Sequence, residues 1–170
     1  GVVPNVELAA DAGLEIDNGI VVDRHMRSSA PGIHAIGDCV SFEHPQSGRR
    51  LRLESVQNAT DQAKHVALAI AGRPRDYAEV AWFWSDQGDM KLQTAGISLG
   101  ADTVIVSGEP DSNSFSVYHF GGSTLLAVDS VNRPADHMIA RRLLAAGVSP
   151  DAADIAQGPQ RLKQLSGART

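Results

Sequence analysis

Gly37, Asp38 and Cys39 bring a glycine, a bare carboxylate and the chain's single cysteine together in three consecutive positions. A glycine lets a ligand approach the backbone closely, and an aspartate can accept hydrogen bonds from a sugar or sugar-alcohol hydroxyl. The same aspartate is equally an ordinary turn residue. Cys39 reads as a small buried hydrophobe rather than a reactive thiol. The run RLESVQNA, residues 52–59, leads from a loop into a helix start, where free backbone N–H groups favour partial negative charge. A plain capped helix is the alternative. Trp82, Phe83 and Trp84, three of the eight aromatics, stand beside Ser85, Asp86 and Gln87. They are either core or a flat surface offered to a planar cofactor. Gly96, Ser98 and Gly100 fit the G-x-S-x-G of serine hydrolases, which needs a strand before the serine and a helix after it. The residues that follow, 103–106, read as another strand, so the motif reads as a turn.

Composition narrows the classes of function. The chain has 170 residues, 42% hydrophobic and 21% charged, as in an ordinary globular protein. A net charge of -5 argues against a generic nucleic-acid binder. One cysteine excludes an intrachain disulfide, a CxxC redox pair and a cysteine-based zinc site. His25, His34, His44, His65, His119 and His137 show no close metal-ligand spacing, so no zinc centre is expected. No apolar run approaches the roughly 18 residues of a membrane helix, and no signal peptide is visible. The sequon at Asn58, Ala59 and Thr60 reads as chance.

The elements that must position these groups fall into two halves. In residues 1–77, Asn18 and Gly19 mark a hairpin turn between residues 14–16 and 20–22. Pro31 and Gly32 break the chain before a short strand at 33–36, and residues 41–52 read as a polar loop. Ser55 caps a helix whose apolar positions, Val56, Ala59, Ala63, Val66, Ala67 and Ile70, share one face; Gly72 and Pro74 end it. In residues 78–170 the pattern is antiparallel, with strands at 91–95, 103–107, 115–120 and 125–131. Asn132 and Pro134 start a helix that Gly147 stops, and Pro150 and Pro159 mark two short helical segments. Strands first and helices after predict an α+β fold.

Five blocks in order, NVELAADAGLEIDNGIVVD, MRSSAPGIHAIGD, RLESVQNATDQAKHVA, WFWSDQGDMKLQTAG and VNRPADHMIARRLLAAG, resemble the C-terminal part of FAD-dependent NAD(P)H:ferredoxin reductases. These are the reductase components of bacterial monooxygenase and dioxygenase systems, within the pyridine nucleotide-disulfide oxidoreductase superfamily. Apoptosis-inducing-factor-like NADH oxidoreductases share the architecture, and a non-redox interaction module is the alternative of another class. The resemblance implies the closing part of an FAD-binding domain, then a C-terminal interface domain of antiparallel sheet and helices. Residues 1–5 resemble the final turn of an NAD domain.

The resemblance also implies roles. Gly37 and Asp38 would meet the ribityl chain of FAD. Glu54, Ser55, Val56 and Gln57 would face the pyrimidine edge of the flavin, where a helix N-terminus stabilises the negative charge of the reduced ring. Trp84 would pack by the isoalloxazine, and no residue is assigned a catalytic role. The implied reaction carries electrons from NAD(P)H through FAD to a 2Fe-2S ferredoxin, in the cytoplasm. Family ferredoxins are acidic, so Lys64, Lys91, Arg49 and Arg50 are the expected docking cations. A homodimer would form through the C-terminal domain. No G-x-G-x-x-G occurs, so both dinucleotide fingerprints of the family are missing, and the chain alone is expected neither to hold FAD tightly nor to oxidise NAD(P)H.

Overall fold

The computed structural model describes residues 2–167. They divide into two compact units that meet in sequence between Glu79 and Val80. Helices and antiparallel sheet dominate, as the α+β expectation holds.

The first unit contains α1 (Glu7–Asp11), β1 (Ile20–Val22), β2 (Val40–His44), β3 (Arg49–Leu51) and α2 (Val56–Ile70). Its three-stranded sheet runs β1-β2-β3, with β1 parallel and β3 antiparallel to β2. The Asn-Gly turn forms, with Asn18 at φ 49° and Gly19 at φ 136°. The hairpin expected there shrinks to a single bridge, Ile16 to Ile20, because β1 pairs instead with β2. Gly19 is required where it stands: a Cβ there would lie 2.9 Å from the Cys39 carbonyl oxygen. Val22, Met26, Val40, Phe42, Val66 and Tyr77 make the core.

Three expectations about this unit need correction. Residues 33–36 do not form a strand; their one ladder contact is an isolated bridge from His34 to Arg27, and Ile33 is exposed. Residues 26–28 lie alongside, the Ser28 N–H donating to the Ile33 carbonyl at 2.9 Å and the Ala35 N–H to the Met26 carbonyl at 3.2 Å, but the pairing stops at that one bridge and so falls short of a ladder. Residues 41–52 are not a polar loop but carry most of β2 and all of β3, with Phe42 and His44 buried. The buried face of α2 is Asn58, Gln62, His65 and Val66, while Val56 is 65% and Ile70 73% exposed. Polar groups win that face because the loops beneath offer them hydrogen-bond partners.

The second unit holds a five-stranded antiparallel sheet, order β4-β5-β8-β7-β6. Its strands are β4 (Trp82–Gln87), β5 (Met90–Gly96), β6 (Thr103–Glu109), β7 (Ser114–Gly121) and β8 (Thr124–Val131). The aromatic run at 82–84 thus opens an edge strand. α3 (Pro134–Ala146), α4 (Ala152–Ala156) and α5 (Pro159–Gly167) follow. Pro134 sits in the first turn of α3 and Gly147 ends it at φ 62°, a left-handed conformation that glycine adopts cheaply. Alternation along β7 buries Tyr118 and Phe120 against Ile139, Ala140 and Leu143 of α3, with Ile155 and Leu162 completing the core. A buried polar network fastens the same helix: Asp136 accepts from Ser116 Oγ at 2.9 Å and pairs with Arg133 at 2.8 Å. Arg133 reaches on to the Ser107 carbonyl at 3.1 Å, tying α3 to β6.

The G-x-S-x-G run is a turn between β5 and β6, as expected, with Gly96 at φ 81°. Among the described residues, no helix is long and apolar enough to cross a membrane.

Candidate functional site

Gly37–Cys39 forms one turn of 3-10 helix immediately before β2. Gly37 is buried at φ 83°, a region that costs a side-chain-bearing residue but not glycine. A Cβ at this position would stand 3.6 Å from that of Ala59, so the turn lies against the first turns of α2. Asp38 is exposed, and among the described residues its carboxylate carries no hydrogen bond to the protein. Cys39 is half-buried, its thiol 3.5 Å from the Ile36 carbonyl.

Ser55 caps α2, its Oγ accepting from the Asn58 N–H at 3.1 Å. Ala59 N–H reaches the Ser55 carbonyl. The N–H groups of Val56 and Gln57 remain without an intrahelical acceptor, as helix geometry requires. Glu54 pairs with Arg52 at 2.5 Å, and Arg52 Nη1 also donates to the Asp38 carbonyl at 3.2 Å. Arg52 therefore joins the Gly37–Cys39 turn to the segment entering α2. Its Nε is buried without a partner, as is Nε2 of Gln62.

The structure thus gathers Gly37, Asp38, Glu54, Ser55, Val56 and Gln57 around one turn and one helix end. Trp84 lies in the second unit, on β4, 39% exposed and 5.9 Å from Trp82 between ring centroids. The cations are dispersed. Lys64 pairs with Asp61 at 3.2 Å on α2, and Arg50 lies 3.7 Å from Asp17 while donating to the Ser41 carbonyl. Arg49 is exposed on β3, and Lys91 is exposed on β5 of the second unit.

Several features escaped sequence reasoning. A cavity of about 730 Å³ in the first unit is lined by Asp23, Arg24, Arg27, Arg50 and Asp76 among others. Its charges are largely matched, Arg24 to Asp76 at 2.9 Å and Arg27 to Asp23 at 2.8 Å, so it presents little net field. Gln62 and Arg52, which brace the turn, lie within the RLESVQNATDQAKHVA block, but nothing in the sequence marks the contacts they make with residues 37 and 38. Burial drives the His44 imidazole down to about 4, and burial with the Arg141 cation beside it does the same to His137.

A flavin's requirements fit this geometry. A ribityl hydroxyl needs an acceptor, which the Asp38 carboxylate could be, and an electron-rich ring edge needs N–H donors, which the start of α2 could offer.

Residues 82–166 match the family described as Reductase C-terminal, and residues 1–63 match Pyridine nucleotide-disulphide oxidoreductase. The chain belongs to the ferredoxin reductase family of the pyridine nucleotide-disulphide oxidoreductases and corresponds to the C-terminal part of such proteins. It is 53% identical to rhodocoxin reductase of Rhodococcus erythropolis over 145 residues, 85% of this chain and 34% of that protein. A ferredoxin reductase structure from Rhodopseudomonas palustris aligns with TM-score 0.89 at 45% identity, over 95% of this chain and 41% of that one. The reductase in the covalent putidaredoxin reductase-putidaredoxin complex aligns with TM-score 0.87 at 38% identity, over 99% of this chain and 40% of that one. The chain therefore spans between a third and about two fifths of the length of these relatives.

Proposed function

We propose that this chain is the flavin-facing and C-terminal portion of a reductase that passes electrons from NAD(P)H through FAD to a 2Fe-2S ferredoxin. The observation that carries the reading is the juxtaposition of a free Asp38 carboxylate with the N-terminus of α2, braced by Arg52. When bound, the flavin supplies the hydride and one-electron chemistry. The chain's own part is to hold the ribityl chain at Asp38, to present the N–H groups of Val56 and Gln57 to the ring edge, and to offer Trp84 as an aromatic wall. Gly37 lets the backbone come close, and Glu54 and Ser55 set the helix entry.

Two features support the view that more polypeptide completes the flavin-binding domain. Residues 33–36 pair only with the short segment 26–28, and the apolar stripe of Val56, Ala63, Ala67 and Ile70 on α2 is exposed. The isolated chain accordingly binds FAD weakly and does not turn over NAD(P)H. The complex formed by putidaredoxin reductase with putidaredoxin supports a ferredoxin partner, for which Lys64, Lys91, Arg49 and Arg50 are the docking cations. Exposed Val104 and Val106 on edge strand β6 support a homodimer through the C-terminal domain. The reading places the protein in the cytoplasm.

Titration with FAD followed by amide NMR tests the site. Shifts are expected at Gly37, Asp38, Val56 and Gln57, and Asp38→Ala removes them. A response in Asp38→Ala equal to wild type would sink the reading. Stoichiometric yellow flavin surviving gel filtration of the isolated chain would overturn the claim that more polypeptide is needed.

A further inference from the structure

The Gly37 N–H donates to Oε1 of Gln62 at 2.7 Å, from the turn to the second turn of α2. Gln62 is fully buried. Its Oε1 is committed to Gly37, while its Nε2 has no partner among the described residues. Leaving a buried amide half-satisfied costs stability that an apolar side chain of similar volume would not. The glutamine is therefore explained by the one bond it makes rather than by packing. On the far side of the same dipeptide, Arg52 Nη1 holds the Asp38 carbonyl at 3.2 Å. The two side chains grip the peptide groups that flank the Gly37–Asp38 peptide bond, and the Asp38 side chain projects from between them. Gly37, at φ 83°, is free of the usual steric limits and would wander without such a grip.

We infer that Gln62 is a positioning residue whose hydrogen bond to Gly37 sets the direction in which the Asp38 carboxylate leaves the turn, and hence its register with the N-terminus of α2. The purpose of that register rests on the flavin reading above; the grip on the turn does not. Gln62 is fully buried behind the turn, so its effect reaches a ligand through Gly37 and Asp38.

Hydrogen exchange of the Gly37 amide, read by NMR in the 170-residue chain with Val66 as reference within α2, tests this directly. Gln62→Met is expected to speed Gly37 exchange about tenfold relative to Val66 and to weaken the FAD-induced shift at Asp38 about tenfold. Gln62→Glu, which keeps an acceptor oxygen, restores both. Unchanged Gly37 exchange in Gln62→Met overturns the proposal. So does faster exchange with an undiminished FAD response. Should Gln62→Met loosen the whole of α2, the wild-type chain decides: a scalar coupling across the hydrogen bond, from the Gly37 nitrogen to the Gln62 side-chain carbonyl carbon, is expected, and its absence overturns the proposal. A wild-type chain indifferent to FAD would fail the flavin reading, while Gly37 exchange would still decide whether Gln62 holds the turn.

Discussion

The guanidinium of Arg141 lies over the Trp82 ring, 4.2 Å from its centroid, and so ties α3 to edge strand β4. His137, one turn earlier on the helix, packs against the same ring at 5.4 Å. Trp82 in turn lies 5.9 Å from Trp84. An edge strand has neighbours on one side only, so this side-chain contact replaces part of what a second flanking strand would supply.

Arg141→Leu keeps an apolar stem but removes the cation. The expected loss is about 1 kcal/mol of unfolding free energy, with a red-shifted tryptophan emission as Trp82 loosens. Urea unfolding followed by fluorescence measures both. A variant as stable as wild type would show that the cation contributes nothing beyond its methylenes.

Gly96 and Gly100 bracket the G-x-S-x-G turn and offer a matched pair of substitutions. Both have positive φ, 81° and 89°. A Cβ at Gly96 would fall into the Leu126 carbonyl oxygen, whereas one at Gly100 meets nothing within 4 Å. Gly100→Ala should cost about 1 kcal/mol from backbone conformation alone. Gly96→Ala must also displace β8 and should cost at least twice as much, visible as a lower melting temperature. Equal losses would mean that steric approach at β8 is unimportant.

The buried histidines predict acid sensitivity. His44 and His137 are each 1% exposed, with both ring nitrogens unpartnered, and burial, aided at His137 by Arg141, lowers each to about 4 from the usual 6.5. A depressed histidine pKa means that the unfolded chain takes up protons first. The stabilisation is therefore intact above pH 6.5 and is lost as pH falls toward 4, each histidine withdrawing on the order of 3 kcal/mol by that point. Urea midpoints measured between pH 7 and pH 4.5 should fall steadily, and His44→Phe should flatten the slope. A midpoint independent of pH over this window would contradict the burial argument.

Much of the architecture was legible because it is written in local signals. Ser55 and Gly72 bracket α2, Pro134 and Gly147 bracket α3, and four of the five strands of the second sheet show their alternation or β-branched runs. Caps, glycine stops and turn residues act within a few positions of themselves, so one sequence suffices to read them. The strand at 82–87 carries no such signal, because three consecutive aromatics read equally as core or as a wall for a planar cofactor.

What only the tertiary structure decided is everything that depends on partners distant along the chain. The sequence determined that a helix follows Ser55; it could not determine which face is buried, because Asn58 and Gln62 point inward only where Leu53 and Gly37 wait to bond them. It determined a glycine and an aspartate at 37 and 38, but the grip of Gln62, 25 residues away, and of Arg52, 14 away, comes from the folded chain. Residues 33–36 have the composition of a strand, yet pairing is a property of two segments, and the one beside them, residues 26–28, pairs through a single bridge. Local propensity thus set the elements, while hydrogen-bond satisfaction across long loops set which of their faces turn inward and where the Asp38 carboxylate stands.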